Sequence, residues 1–347
     1  MIFRQLFDSV SCTYTYLLAS RLGGEALIID PVLEKVEHYL RLVRELDLKL
    51  VKAVDTHLHA DHVTGLGALR DRTRCITVMG EASSVDVVSM RVRDGDSIQI
   101  EGVALEVIYT PGHTDDSYSF RLPDRVFTGD TLLIRGTGRT DFQNGDALAQ
   151  YDSLFNKLLR LPDDTLVYPC HDYKGDTVST IGEERAHNPR LQVGSAAEYA
   201  AIMNNLHLPN PKMMDVAVPA NRSIAFAPAD PAISANTLSV EQAIAEQETS
   251  GATFVDLRED GERAAKGFIP GSVHVPYTHL ADVIRPGGLL AALAAERRLI
   301  LYCAFGERSA LALQACHDAG IGGVRHLGGG VAAWSKAGLP LATPRTT

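Results

Sequence analysis

Four times in the first half of the chain, a short apolar run stops and a reactive polar side chain stands directly beyond it. One run ends at Asp55 and leads into Thr56-His57-Leu58-His59-Ala60-Asp61-His62. Leu105 to Tyr109 leads into Thr110-Pro111-Gly112-His113, Arg125 to Thr128 into Gly129-Asp130, and Leu166 to Tyr168 into Pro169-Cys170-His171-Asp172-Tyr173. Short apolar runs rich in β-branched and aromatic residues predict strands. Polar groups at the ends of several strands converge on one rim while the strands beneath fill a core, which is how a rigid scaffold positions a site.

The rest of the chain is read around those runs. Tyr14 to Leu18 and Ala26 to Asp30, with a turn at Gly23-Gly24, predict a hairpin, and Val36, Tyr39, Leu40, Val43 and Leu46 give a helix over 34–46 one buried stripe. Residues 204–236 carry five prolines among Asn, Ala and Ser with weak periodicity, the composition of a linker. Beyond it, strands at Thr253 to Asp256, Leu299 to Tyr302 and Val324 to Leu327, with a helix from about Ser309 to Ala319, predict a parallel α/β sheet. A length of 347 residues suits two domains. The expected division is 1–225, a linker over 226–236, and 237–347.

Charge removes several classes of function. The formal net charge is −10; up to residue 236 there are 23 Lys and Arg against 32 Asp and Glu, and after it 10 against 11. An acidic surface repels phosphate backbones, so nucleic acid is excluded as a partner, while a local basic pocket for a small anion is not. Apolar stretches are short and interrupted, and Met1 to Ser11 lacks the pattern of an export signal, so the expectation is a cytoplasmic protein with no membrane partner. The five cysteines are scattered and odd in number, which argues against a disulfide framework or a cysteine zinc site. A homo-oligomer stays open.

His57, His59, Asp61, His62, His113, Asp130 and His171 are seven metal-competent side chains at strand ends. Imidazole and carboxylate together suit zinc, iron or manganese. The His-x-His-x-Asp-His run with Thr-Pro-Gly-His113, Gly-Asp130 and His171 resembles the metallo-β-lactamase superfamily, whose fold is an αββα sandwich. Within it, the first 225 residues resemble the persulfide dioxygenase branch, through Arg4 to Phe7, Ser11 to Leu18, Leu132 to Gly136, Gly138 to Gln143, Val178 to Thr180, Glu183 to Arg185 and Asn188 to Leu191.

By that resemblance one Fe(II) per chain is held by His57, His113 and Asp130, a facial triad that leaves room for a persulfide sulfur and O2 side by side. His59, Asp61, His62 and His171 then surround the ligands and orient them. Superfamily relatives of the glyoxalase II kind use those same four as direct ligands in dinuclear zinc thioester hydrolases, an occupancy the residues alone leave open. Thr114-Asp115-Asp116-Ser117 departs from the Thr-Pro-Gly pattern common after this histidine. The substrate implied is glutathione persulfide, an anionic thiol peptide, with Arg139, Tyr173 and Arg190 as its expected contacts.

Leu299 to Tyr302 ends at Cys303-Ala304-Phe305-Gly306-Glu307-Arg308-Ser309, where a helix is expected to begin. A cysteine in a strand-to-helix loop faces backbone N–H groups that stabilise a thiolate and later a persulfide, and Arg308 adds a fixed positive charge. Val255 to Glu259, Glu262, Gly267 to Val273 and Pro276, with Gly328 to Trp334 and Gly338 to Pro340, resemble the entry and exit motifs of rhodanese sulfurtransferase domains. A phosphatase loop has five residues between Cys and Arg; Cys303 and Arg308 enclose four. Acidic Glu307 sets this loop apart from the strongly basic loops that use thiosulfate. Together the resemblances imply oxidation of glutathione persulfide by O2 to sulfite and glutathione, coupled to sulfur transfer among persulfide, sulfite, thiosulfate and glutathione through Cys303. A zinc hydrolase fused to a rhodanese domain, and a non-catalytic sulfur carrier, are the competing readings.

Overall fold

The computed structural model describes residues 1–85, 88–206, 208–209, 213–222 and 231–343. The chain divides into two compact units, Met1–Ile224 and Ala225–Thr347.

Two six-stranded sheets make the first unit. The first runs in sequence order through β1 (Ile2–Asp8), β2 (Thr13–Ala19), β3 (Glu25–Ile29), β4 (Lys49–Val54), β5 (Ile76–Gly80) and β6 (Met90–Val92). It is antiparallel up to β3 and parallel beyond. The second contains β7 (Ser97–Ile100), β8 (Val103–Tyr109), β9 (Tyr118–Leu122) and β10 (Arg125–Gly129). Past a small hairpin of β11 (Leu132–Leu133) and β12 (Gly136–Thr137), it gains β13 (Leu166–Pro169) and β14 (Ser179–Thr180). Its spatial order is β14-β13-β10-β9-β8-β7, and only β10 and β13 pair in parallel.

Pleating decides the layers, because successive side chains point to opposite faces. Leu17, Ala19, Ala26, Ile28 and Ala53 face helices Val36–Glu45 and Leu66–Thr73. On the other face Tyr16 meets Phe127 of β10, and Phe3 meets Tyr168 of β13, with ring centroids 4.9 Å apart in both pairs. Val126 and Val167, on the far side of the second sheet, pack with Ala147, Tyr199 and Met203 of helices Ala147–Asp152 and Ala196–Met203. Helix, sheet, sheet and helix follow one another: the expected αββα sandwich. The helix read at 34–46 begins with a tight turn at Leu33–Lys35 and is α-helical over Val36–Glu45.

The proline-rich stretch read as a linker contains the division between the two units, after Ile224, and also short helices. Helices Met214–Arg222 and Pro231–Ala235 occupy it, while 223–230 lie outside the described residues. Pro219 sits inside the first helix, where it removes a backbone bond. Packing offsets that loss: Ala217 and Asn221 are buried and Val218 lies against the first core.

In the second unit a five-stranded parallel sheet has the order β15-β19-β18-β16-β17. These strands are β15 (Thr237–Leu238), β16 (Thr253–Asp256), β17 (Val273–His274), β18 (Leu299–Tyr302) and β19 (Val324–Leu327). β16, β18 and β19 have the bounds read from the sequence. The helix expected from Ser309 starts two residues earlier and spans Glu307–Asp318, because Gly306 caps it with φ +99°. Among the described residues no helix is long and apolar enough to cross a membrane.

Candidate metal centre and sulfur-transfer loop

β4, β8, β10 and β13 end at Val54, Tyr109, Gly129 and Pro169, and the residues just beyond them meet. His57, His113 and Asp130 are buried, with one potential ligand atom each inside a 4.8 Å cluster. His113 Nε2 lies 3.6 Å and His57 Nε2 4.0 Å from the same oxygen, Asp130 Oδ2. Adjacent donors about 2.1 Å from one ion stand about 3 Å apart, so a small closure brings these three onto a common metal. Two imidazoles and a carboxylate are a donor set for ferrous iron, manganese or zinc.

Around them runs a continuous chain of polar contacts. Asp130 divides its oxygens: Oδ2 faces the two histidines and Oδ1 pairs with His171 Nδ1 at 2.7 Å. His171 Nε2 continues to Asp61 Oδ2 at 2.8 Å, and the same oxygen lies 2.9 Å from His62 Nδ1. Burial opposes the charge on His171, but Asp130 and Asp61 outweigh it, and its pKa rises well above the ordinary value. Asp130 moves the other way: burial favours its neutral form, and His171, His113 and His57 more than offset this and hold it low. Burial, reinforced by His59, drives His57 well down, which keeps its imidazole neutral and available as a ligand.

Three orienting groups escaped the sequence reading. Asp30, buried at φ +51°, accepts from Thr56 N at 2.7 Å and lies 3.2 Å from His59 Nε2; against the opposing effect of burial, that contact lifts the His59 pKa to about 9. Thr56 Oγ1 contacts His57 Nδ1 at 2.9 Å. His113 Nδ1 donates to the Arg139 carbonyl at 2.7 Å, so Arg139 helps the site through its backbone. Asp30 carried a usable signal: it ends the run Leu27-Ile28-Ile29 as the ligands end theirs. The departing segment after His113 also has a structural part, since Asp116 Oδ1 accepts from Thr114 Oγ1 at 2.7 Å and from Leu58 N at 3.3 Å.

A cavity of about 280 Å³ opens on the metal cluster and is lined by Arg139, Phe142, Tyr173, Lys174, Arg190 and Leu208, among others. Arg139 is already engaged by the Asp141 carboxylate and the carbonyls of Leu208 and Pro209. Tyr173 is 70% exposed and lies parallel to the His171 ring at 6.0 Å. Arg190 donates to the carbonyl and hydroxyl of Thr137, and no carboxylate pairs with it among the described residues.

In the second unit Cys303 is buried at the end of β18, and Gly306 N donates to its Sγ at 3.1 Å. Ala304 and Phe305 complete the bend, with Phe305 exposed at 37%, while Glu307, Arg308 and Ser309 are buried in the first turn of the helix. Val331 N donates to the Cys303 carbonyl at 2.8 Å and Ala332 N to that of Ala304 at 3.1 Å. A Cβ on Gly330 would stand 2.4 Å from the Cys303 carbonyl oxygen, which accounts for glycine there. Arg308 is buried and its guanidinium is clamped by both Glu262 oxygens, at 2.6 and 2.7 Å, so the fixed positive charge of this loop is held in an ion pair.

Residues 12–171 match the metallo-beta-lactamase superfamily, and residues 239–337 match the rhodanese-like domain. The human protein "Persulfide dioxygenase ETHE1, mitochondrial" is 50% identical over 224 residues, which cover 64% of this chain and 87% of that protein. The chain belongs to the persulfide dioxygenase family. The crystal structure of ETHE1 from Myxococcus xanthus, 56% identical, superposes with a TM-score of 0.63 over 64% of this chain and 98% of that one. A Staphylococcus aureus metallo-beta-lactamase structure, 21% identical, covers 95% of this chain with a TM-score of 0.61 and shares the fold. In this member of the persulfide dioxygenase family, the rhodanese-like domain follows as a unit with its own sheet and core.

Proposed function

We propose that the first unit oxidises glutathione persulfide with O2 and water to sulfite and glutathione, and that the second transfers sulfane sulfur through a Cys303 persulfide. The balance of the first reaction is GSSH + O2 + H2O giving GSH, sulfite and two protons. The observation that carries this reading is the split carboxylate of Asp130, with one oxygen in the His57–His113 cluster and the other secured by His171. Ferrous iron held by that triad would supply the O2 chemistry that protein side chains lack. The chain's residues hold the donors neutral or anionic as required, exclude bulk water by burial, and open a cavity beside them for the thiol peptide. Arg190, without a carboxylate partner among the described residues, suits a glutathione carboxylate; Tyr173 forms an exposed edge of the same cavity; Arg139 acts there mainly through its carbonyl and its pair with Asp141.

At Cys303, the thiolate attacks the outer sulfur of a donor, releases the donor's remainder, and passes the sulfur to an acceptor such as sulfite or glutathione. The Gly306 N–H, aimed at Sγ, would help hold the negative charge on sulfur.

One observation favours a second reading. Among the described residues, His59 Nδ1 and His62 Nε2 are buried without hydrogen-bond partners, as ligands of a second ion would be, and dinuclear zinc hydrolysis needs such ligands. Metal analysis combined with an oxygen electrode and glutathione persulfide separates the two. One iron per chain with stoichiometric O2 uptake is expected; two zincs with O2-independent thioester cleavage would overturn the dioxygenase reading.

A further inference from the structure

We propose that Asn221 is a positioning residue of the metal centre, gripping the His59–Thr64 turn through its side-chain amide; this rests on the metal site proposed above. The segment from His57 to Thr64 belongs to neither helix nor extended strand, so its buried N–H and C=O groups need partners elsewhere. Residues 31–33 meet one side, with Leu33 N donating to Val63 O at 2.9 Å and Gly65 N to Pro31 O at 2.6 Å. Asp116 and Gln143 meet the backbone of Leu58, and the rest of the turn is met by the side chain of Asn221. Asn221 Nδ2 donates to the carbonyls of His59 and His62 at 2.9 and 2.8 Å, and Oδ1 accepts from Thr64 N at 2.8 Å.

Only a primary amide offers two donors and an acceptor on so short a stem. Aspartate lacks the donors, and leucine lacks everything but the shape. Asn221 is 2% exposed, so groups freed by its loss would remain buried and unpaired. The turn it holds carries His59, which lies against Asp30, and Asp61, which reaches Asp130 through His171. A displaced turn is therefore felt at a ligand. Asn221 belongs to helix Met214–Arg222, outside the superfamily match over residues 12–171, so a residue beyond every candidate ligand completes their support.

The test uses the full chain, stripped of metal and titrated with Co(II), whose visible absorption reports affinity and ligand geometry. Asn221→Leu and Asn221→Asp are expected to weaken cobalt binding about 10- to 100-fold and to alter the band envelope. After loading with the native metal, kcat for O2 uptake should fall while KM for glutathione persulfide holds, because Arg139, Tyr173 and Arg190 of the cavity lie outside the displaced turn. Sulfur transfer at Cys303 should stay within about twofold, on the expectation that sites without shared partners act independently. Should the leucine variant fail to fold, Asn221→Ser, which leaves space for water, takes the same measurements. Parent-like cobalt affinity and spectrum in any folded variant would overturn the proposal, as would loss of folding of the first unit in all three, which would leave Asn221 a purely structural residue. Cobalt reports the site whichever metal it natively holds, so a zinc-loaded parent would sink the iron reading and leave this one standing.

Discussion

The metal centre gathers side chains from positions as far apart as His57 and His171, each beyond the end of a different strand, whereas the sulfur-transfer centre is one run of chain from Cys303 to Arg308 with the Gly306 amide turned onto the sulfur. The first depends on the register between β4, β8, β10 and β13, and on a surrounding set of carboxylates, carbonyls and an amide that hold imidazoles in place. The second depends on local conformation, with Gly306 in a left-handed bend, the helix start at Glu307, and the 329–332 backbone packed on its carbonyls. Long-range assembly lets a site mix ligand types, but leaves it sensitive to changes in any contributing layer. A local loop is compact, and its weak point is its backbone.

The strongest way to break that contrast is to cross the two knockouts. His113→Ala should remove metal and lower persulfide-dependent O2 uptake by at least about 10³-fold while sulfur transfer persists; Cys303→Ser should do the reverse. Loss of both activities from either substitution would show that the centres are not independent. Next in size, Gly330→Ala places a methyl group against the Cys303 carbonyl at a residue with φ +57°. It should destabilise the second unit by about 2–4 kcal/mol and depress sulfur transfer, with metal content unchanged. Trp334 is the sole tryptophan and is buried in the second unit, so its fluorescence follows that unit's unfolding.

Asp30→Asn sharpens the comparison on the metal side. It removes the carboxylate against His59 while keeping a similar shape, and metal affinity should fall about 10- to 100-fold by direct titration. The smallest expected effect is a pH dependence confined to the second unit. Burial pulls the His326 pKa down to about 4, against about 6.5 in an unfolded chain. Between those values the unfolded state binds the extra proton, so stability is full above pH 6.5 and is lost as pH falls toward 4, by at most about 3 kcal/mol. Trp334 fluorescence melts over that window should show the slope, and His326→Asn should flatten it; an unchanged slope would place the titrating group elsewhere.

Much of this is legible in the sequence alone. The alternation of apolar runs with reactive endpoints locates the four strand ends, and β16, β18 and β19 have the bounds read from the sequence because each is a short run beginning on an apolar or β-branched residue and flanked by turn residues or helix. Helix Met214–Arg222 is not legible there, because Pro219 argues against a helix locally while burial of Ala217 and Asn221 argues for it only once the sandwich exists. Arg308 is read as a fixed positive charge, and nothing in Cys303 to Ser309 shows that Glu262 pairs with it.

Residue type and order by themselves determined which chemistry is available: imidazoles and a carboxylate beyond strand ends, and a cysteine before a helix. Tertiary structure decided how those groups are used. It divided the two oxygens of Asp130, turned Asp30 toward His59, closed Glu262 on Arg308, and brought Asn221 under the histidine turn. Each of those contacts joins residues from different elements, and a hydrogen bond depends on distance and angle that only the packed layers set.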